Sequence, residues 1–342
     1  MTWLLVVPLL SLLVLVHEIG HFAVARLFRI TVHEFGIGFP PRVASICRGG
    51  VLYSLNLIPI GGFVRFAEDG ADSFHARPTW QRAAVLFAGP GANFLLAAAI
   101  FTTLALTGGL PQPRVRIADV VPSSPAAVAG LAPNDIVLAV DGVPVDQPDA
   151  VRQVVQRSDQ PTVVVTVADS AGNVRQAVVE PTGERRQLGV QLGVASEPRT
   201  YEPGAAVAAG IQRAVAGSVG TVEGLASTVR DRSIDAVQGP IGMARDTGWL
   251  VDRLAERGGL AAVAMGFAHL AAGLSLGLFI FNLLPVPVLD GGRLLLLAIE
   301  AVRRRRLTPE VEASVQLASA VCLLVLFIAV SASDVARLFP RG

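Results

Sequence analysis

Lysine is missing from this chain of 342 residues, and every basic side chain is an arginine. The 28 basic residues nearly balance 27 acidic ones, and no basic tract is interleaved with aromatics, which excludes nucleic acid as an expected partner. The lack of lysine reads as genome-level composition bias. Cysteine is scarce too: Cys47 and Cys322 stand far apart in segments of different character, which excludes a disulfide framework and a cysteine zinc site. Charge of either sign is thin, at 16% of residues against 52% hydrophobic, so the chain is expected to be an integral membrane protein with room for one soluble domain. There is no internal repeat and no low-complexity tail.

Four apolar runs are long enough to cross a bilayer, for which about 20 residues suffice: Trp3–Phe28, Ala83–Leu110, Leu260–Leu284 and Val311–Val335. Gly89-Pro90-Gly91 in the second predicts a loosened turn before a regular helix from Asn93. Seven arginines between Arg26 and Arg82, and five between Arg293 and Arg306, place both connections on the cytoplasmic side by the positive-inside rule. Both termini and the segment 111–259 then face outward. Residues 30–66 are Gly-rich with weak alternation and predict short strands or hairpins beside the membrane, whose edges must be covered or must pair with an incoming peptide. Residues 114–195 read as a small β-rich domain, with strands at Val115–Val121, Ile136–Val140, Val163–Val167 and Val174–Val179 and a short helix at Pro125–Ala129. Gly204–Arg232 predicts an amphipathic helix on the outer membrane face or packed on the bundle.

The most informative residues are His17-Glu18-Ile19-Gly20-His21, because they end the first apolar run. Two His at i and i+4 share one helical face and can bind one Zn²⁺, while the intervening Glu can take a proton from the water that the ion activates. HExxH occurs by chance in soluble proteins, but within an apolar helix a chance cluster carries a desolvation cost of several kcal/mol. A secretory signal peptide is the competing reading; no Lys or Arg precedes the run, which disfavours it. A catalytic zinc site needs a third protein ligand. Asp290 in Asn282-Leu283-Leu284-Pro285-Val286-Pro287-Val288-Leu289-Asp290-Gly291-Gly292 directly follows the third run, where two prolines break the helix. Position alone leaves two readings open for it, a metal ligand or the cap of a helix starting at Gly291.

These motifs together resemble the site-2 protease family of intramembrane zinc metalloproteases, in particular the bacterial regulator of sigma-E protease type. HExxH in the first span, GPGAN at 89–93, a PDZ-like insertion, Gly239-Pro240-Ile241-Gly242 and NLLPxPxLDGG occur in the family's order over nearly the whole chain. The resemblance implies one Zn²⁺ held by His17, His21 and Asp290, with Glu18 as general base. It also implies substrate contacts by Asn282 and Pro287 and by Gly61-Gly62-Phe63, the last resembling a membrane-associated hairpin that adds the substrate as a strand. For Asn282 the competing reading is an interhelical hydrogen bond, and for the Gly pair a plain turn. Asn93 is read first as a helix cap, with a bond near the metal as the alternative. The domain at 114–195 resembles a circularly permuted PDZ domain, with Ser123 to Asp135 as the family's recurrent stretch and Leu188-Gly189-Val190 as the loop that would hold a peptide terminus; a small residue usually stands where Asn134 is. His269 is read as an interhelical hydrogen-bonding group, His33 and His75 as surface residues, and Arg303–Arg306 as a topology determinant with a secondary anionic-lipid role.

The expected fold is an α-helical polytopic membrane protein of four transmembrane helices with a membrane-associated β-hairpin region and an inserted β-rich PDZ-like domain. Its expected parts are residues 1–110, a membrane core; 111–198, the PDZ-like domain; 199–259, a linker with an amphipathic helix; and 260–342, the second part of the core. The expected partners are a single-pass transmembrane substrate, such as an anti-sigma factor or a remnant signal peptide, the bilayer, and an upstream protease that trims the substrate's outer part. The expected location is the bacterial inner membrane, with the active site toward the cytoplasm. Two other function classes stay open: a PDZ-bearing membrane adaptor that has lost catalysis, against which the intact motif residues argue, and a transporter, which the lack of repeat symmetry disfavours.

Overall fold

The charge-poor stretch ahead of His17 forms helix α1 (Val6–Leu27) in the structure, a computed structural model that describes residues 6–67, 69–183, 186–230 and 240–338. Trp3 and Gly239, which belong to the segments singled out above, lie outside the described residues. The helix stops where Arg29 turns left-handed (φ 56°) and the Ile30 amide bonds back to the Ala25 carbonyl at 2.8 Å, a helix-ending pattern that satisfies an otherwise orphaned carbonyl. The chain divides into two units: the described residues up to Leu106 together with those from Glu202, and Thr107–Tyr201.

In the first unit, α1 leads into two long strands, β1 (Val32–Arg48) and β2 (Val51–Phe66), which pair around a Gly49-Gly50 turn. Instead of separate short hairpins, the two strands curl on themselves. Glu34–Ile37 has partners on both sides, Gly62–Arg65 and Leu52–Leu55, so Gly62–Phe66 forms an outer edge to which no other strand pairs among the described residues. Buried Glu34 clamps this curl by pairing with Arg42 at 2.8 Å and Arg65 at 3.3 Å.

Helix α2 (Thr79–Thr107) runs unbroken through Gly89-Pro90-Gly91, which corrects the loosened turn expected there. A proline removes one backbone hydrogen bond, whereas opening the helix among apolar side chains would strand several polar groups. After α2 this unit resumes with α5 (Pro203–Arg230), α6 (Pro240–Asn282, kinked at Gly259), α7 (Asp290–Arg303) and α8 (Pro309–Leu338), once the elements of the second unit, described below, have passed. Among the described residues three helices are long and apolar enough to cross a membrane: α1, α2 and the Gly259–Asn282 part of α6. The fourth expected run falls within α8. Helix α5 packs onto these helices, with Gly210 against Thr102 and Gly217 against Leu276. His269 departs from expectation: its Nδ1 bonds the Met265 carbonyl of its own helix at 2.9 Å, the i−4 carbonyl that helical geometry places beside it.

Apolar packing of Ala25, Phe35, Phe74, Val85, Leu86 and Leu297 joins α1, the curled sheet, α2 and α7. Beside it Arg82 and Glu300 form a buried ion pair at 3.0 Å, and Glu300 also accepts the Leu307 amide at 3.0 Å.

The second unit contains β3 (Leu110–Val120), α3 (Pro125–Val128), β4 (Ile136–Val140), β5 (Val143–Pro144), α4 (Pro148–Arg157), β6 (Val163–Ala168), β7 (Val174–Val179) and β8 (Val190–Arg199). Its antiparallel sheet runs β7-β6-β4-β3-β8 with β5 beside β4, and α4 packs Val151 and Val155 into a core rich in valine. Asn134 sits at φ 75°, a conformation that Asn tolerates better than most residues, which accounts for its presence at that turn. The preceding helix is capped by the Ser124 hydroxyl, which accepts the Ala127 amide at 3.3 Å.

Removing one partner of a buried pair leaves an uncompensated charge. Glu300→Ala is therefore expected to destabilise the first unit by about 3–5 kcal/mol, and Arg82→Met combined with Glu300→Leu by less than the two single changes summed. Thermal unfolding of the purified protein in detergent measures both.

Candidate active site

Successive turns of α1 carry His17 and His21 on one face, with their rings 4.7 Å apart between centroids. Both are buried, although α1 presents mainly apolar side chains. Two backbone features bring a third group to them. Leu283 to Leu289 fold back beneath the start of α7, where a Cβ on Gly291 would lie 2.2 Å from the Leu283 carbonyl oxygen and one on Gly292 would lie 2.2 Å from that of Val286. Only glycine fits such an approach. The fold-back delivers Asp290 as the first residue of α7; Leu289 occupies the cap position, so the reading of Asp290 as a helix cap is corrected.

The three side chains converge closely. Asp290 Oδ2 lies 3.0 Å from His17 Nε2 and 3.2 Å from His21 Nε2, and the two Nε2 atoms are 3.1 Å apart. A tetrahedral zinc with ligands at about 2.0–2.1 Å sets ligand atoms roughly 3.3 Å from one another, so the donor set fits that ion. Hydrogen bonding supports the same conclusion. His21 Nδ1 lies 2.7 Å from the Val85 carbonyl, which can only accept, so in the neutral ring Nε2 is a bare acceptor facing a carboxylate oxygen. Acceptors this close need a cation or a proton between them.

Helix α2 lines the other side. A Cβ on Gly89 would lie 2.3 Å from His21 Nε2 and 2.8 Å from His17 Cε1, so the rings pack directly on the α2 backbone. Asn93 is fully buried in the interior of α2, not at its end, so the reading of it as a cap is also corrected. Its Nδ2 lies 3.4 Å from His17 Nδ1, and its Oδ1 is buried without a partner. The two ends of a carboxamide are nearly equal in shape. With the oxygen toward His17, Asn93 accepts from Nδ1–H and leaves Nε2 free, the usual arrangement behind a metal-binding imidazole. The Ser275 hydroxyl donates to the Asn93 carbonyl at 2.8 Å and ties α6 to this point.

A cavity of about 280 Å³ opens beside the cluster and is lined by Glu18, Phe63, Phe66, Asn282, Leu289 and Arg293, among others. Gly62 borders it: a Cβ there would lie 3.6 Å from Glu18 Cγ. Gly61 faces Val14 instead, and Pro287 lies under Gly292, so neither lines the cavity. Asn282 closes α6 and donates from Nδ2 to the Leu278 carbonyl of its own helix at 2.9 Å, not across to another span. In the second unit, Leu188, Gly189 and Val190 line a separate groove of about 460 Å³ with Val151, Val155 and Leu192. Sequence reasoning passed over three contributors to the site. The Val85 carbonyl is backbone and leaves no residue signal. Gly89 was visible only as part of GPGAN, and Arg293 only as the first arginine of the second arginine-rich connection.

Comparison with known proteins adds to this geometry. The model of peptidase family M50 matches residues 5–326. A protein assigned as a zinc metalloprotease in Rhizobium meliloti (strain 1021) is 34% identical over 335 residues, covering 88% of this chain and 87% of that protein. Metalloprotease MmpA of Caulobacter vibrioides is 30% identical over 351 residues, covering 89% and 88%. ARASP2 of Arabidopsis thaliana, assigned as a chloroplastic membrane metalloprotease, is 33% identical over 351 residues, covering 93% and 76%.

Asn93→Leu is expected to weaken zinc retention by about 10–100-fold with little change in thermal unfolding of the metal-free protein. Competition with a chromogenic chelator reads the first and a melting curve the second.

Proposed function

This chain belongs to peptidase family M50, and from that membership together with the site's geometry we propose that it is an intramembrane endopeptidase that cuts a transmembrane segment of a single-pass membrane protein. It is a zinc metalloendopeptidase. The observation that carries the intramembrane reading is the convergence of two imidazoles and the Asp290 carboxylate within 3.2 Å, the imidazoles standing on a helix, α1, long and apolar enough to span a bilayer.

His17, His21 and Asp290 would hold the zinc. When bound, the ion supplies Lewis-acid polarisation of the scissile carbonyl and lowers the pKa of water at the site. Glu18 lines the same cavity and is the general base, taking a proton from the attacking water and passing it to the leaving amine. A helical substrate shields its carbonyls in its own hydrogen bonds and must be unwound first. The outer edge Gly62–Phe66 beside the cavity can receive an extended segment as an added strand, and Phe63 packs against it from the cavity wall. Asn282 spends its amide on Leu278, which leaves its carboxamide oxygen for a substrate N–H.

The two arginine-rich connections, Arg26–Arg82 and Arg293–Arg306, support a placement in the bacterial inner membrane with both of them and the site toward the cytoplasm, and with the Thr107–Tyr201 unit outside. The groove at Leu188-Gly189-Val190 in that unit suits a peptide terminus, consistent with a PDZ-like domain that meets substrate already trimmed by an upstream protease. Membrane-bound anti-sigma factors are the leading substrate class and remnant signal peptides the second.

Co-expression with single-pass proteins of the same genome tests this reading. The native chain is expected to release a shortened fragment and Glu18→Gln none, while zinc content stays equal in the two. No Glu18-dependent fragment from any candidate would count against the proposal.

A further inference from the structure

Among the described residues Arg293 is a cation without a counterion. It stands in the first turn of α7, where the partial positive charge of a helix start disfavours an arginine. Its Nε is buried with no hydrogen-bond partner, and no carboxylate lies within ion-pair distance of it among the described residues. The nearby acid Glu300 is taken by Arg82. The ring of Phe74 receives both guanidiniums, with Arg82 at 5.4 Å and Arg293 at 5.9 Å from its centroid, so like charges are gathered at one place. Arg293 lines the cavity that holds Glu18 and Asp290, and it also lines a second, larger cavity of about 860 Å³ whose walls carry both signs of charge, Arg82 and Arg306 with Asp69, Glu300 and Glu312. One side chain thus faces both spaces.

The charge balance gives this placement a use. Two carboxylates, Glu18 and Asp290, offset a divalent ion, so Arg293 leaves the cavity one positive charge in excess. Peptide hydrolysis breaks the C–N bond, adds the water's oxygen to the carbonyl carbon and moves protons to the leaving nitrogen, so the acyl fragment acquires a carboxylate. We propose that Arg293 is a substrate-binding residue that takes a carbonyl oxygen on the acyl side of the cut bond and then holds the new carboxylate until it leaves. A guanidinium is suited to both tasks, since it donates in a planar fork and binds a carboxylate more strongly than a neutral carbonyl. The inference rests on the peptidase reading above.

The test uses the full-length zinc-loaded protein in detergent and two fluorescent peptides with the sequence of the acyl product, one ending in a free carboxylate and one in a carboxamide. Their binding is measured by anisotropy, so no turnover is needed. The native protein is expected to prefer the carboxylate by about tenfold, the order of one charge-assisted hydrogen bond. Arg293→Gln should lose most of that preference and Arg293→Lys keep part of it, with zinc content and melting temperature at native values. In turnover, Arg293→Gln should also relieve inhibition by the carboxylate peptide. Three results overturn the inference: a native protein without the preference, a Gln variant that retains it in full, or a loss that follows zinc release or unfolding, which would make Arg293 structural. A native protein that cleaves while Arg293→Gln keeps the preference removes only the role of Arg293; a native protein with no Glu18-dependent cleavage removes the peptidase reading instead.

Discussion

Three acceptor atoms held about one ligand spacing apart, in a setting that offers them little water, are the constraint on which the rest of the first unit depends. Two imidazole nitrogens and a carboxylate oxygen repel one another unless a cation stands among them, and each loses solvation by being placed there. The fold surrounds them with groups that make no other arrangement easy. The Val85 carbonyl fixes the tautomer of His21, Asn93 backs His17, and the α2 backbone at Gly89 presses on both rings. The fold-back beneath Gly291 and Gly292 sets Asp290 against them from the far end of the chain. Binding energy of a divalent ion is thereby coupled to the packing of α1, α2 and α7.

The surroundings serve access as much as rigidity. A polypeptide to be hydrolysed must arrive extended, and the curled β1–β2 sheet leaves an unpaired edge beside the cavity. Water must arrive as well, and the cavity is walled partly by polar side chains, Glu18, Asn282 and Arg293. The Arg82–Glu300 pair fastens α2 to α7 and lines the larger cavity that Arg293 also borders. The Thr107–Tyr201 unit has its own valine core and its own groove.

Much of this is legible in the residues because the chemistry is local. HExxH needs only helical periodicity to pair its histidines, and a charge within an apolar run is costly enough to signal a purpose. The strands of the β-rich unit were visible as alternating Val-rich runs between turn residues. Other features misled for an equally physical reason. Gly89-Pro90-Gly91 and Asn93 carry the marks of a break and a cap, yet α2 is continuous, because a helix surrounded by apolar groups keeps its hydrogen bonds and tolerates one missing donor. Residues 30–66 read as short hairpins, whereas pairing of Glu34–Ile37 on both sides depends on partners about twenty to thirty positions away in sequence, beyond the reach of any local pattern.

By itself, then, the sequence determined a membrane-bound chain with a zinc-type histidine pair and glutamate, a separate β-rich insertion and one acid, Asp290, that could complete the ligand set or cap its helix. Only the tertiary structure decided that Asp290 is brought to the histidines rather than capping its helix, that Asn93 and the Val85 carbonyl stand behind the rings, and that Arg293 faces the cavity with no counterion among the described residues. Periodicity fixes which side chains share a face within one element. Which faces meet is set by close approaches between distant segments, at Gly89 and at Gly291-Gly292, and those depend on the packing of the whole unit.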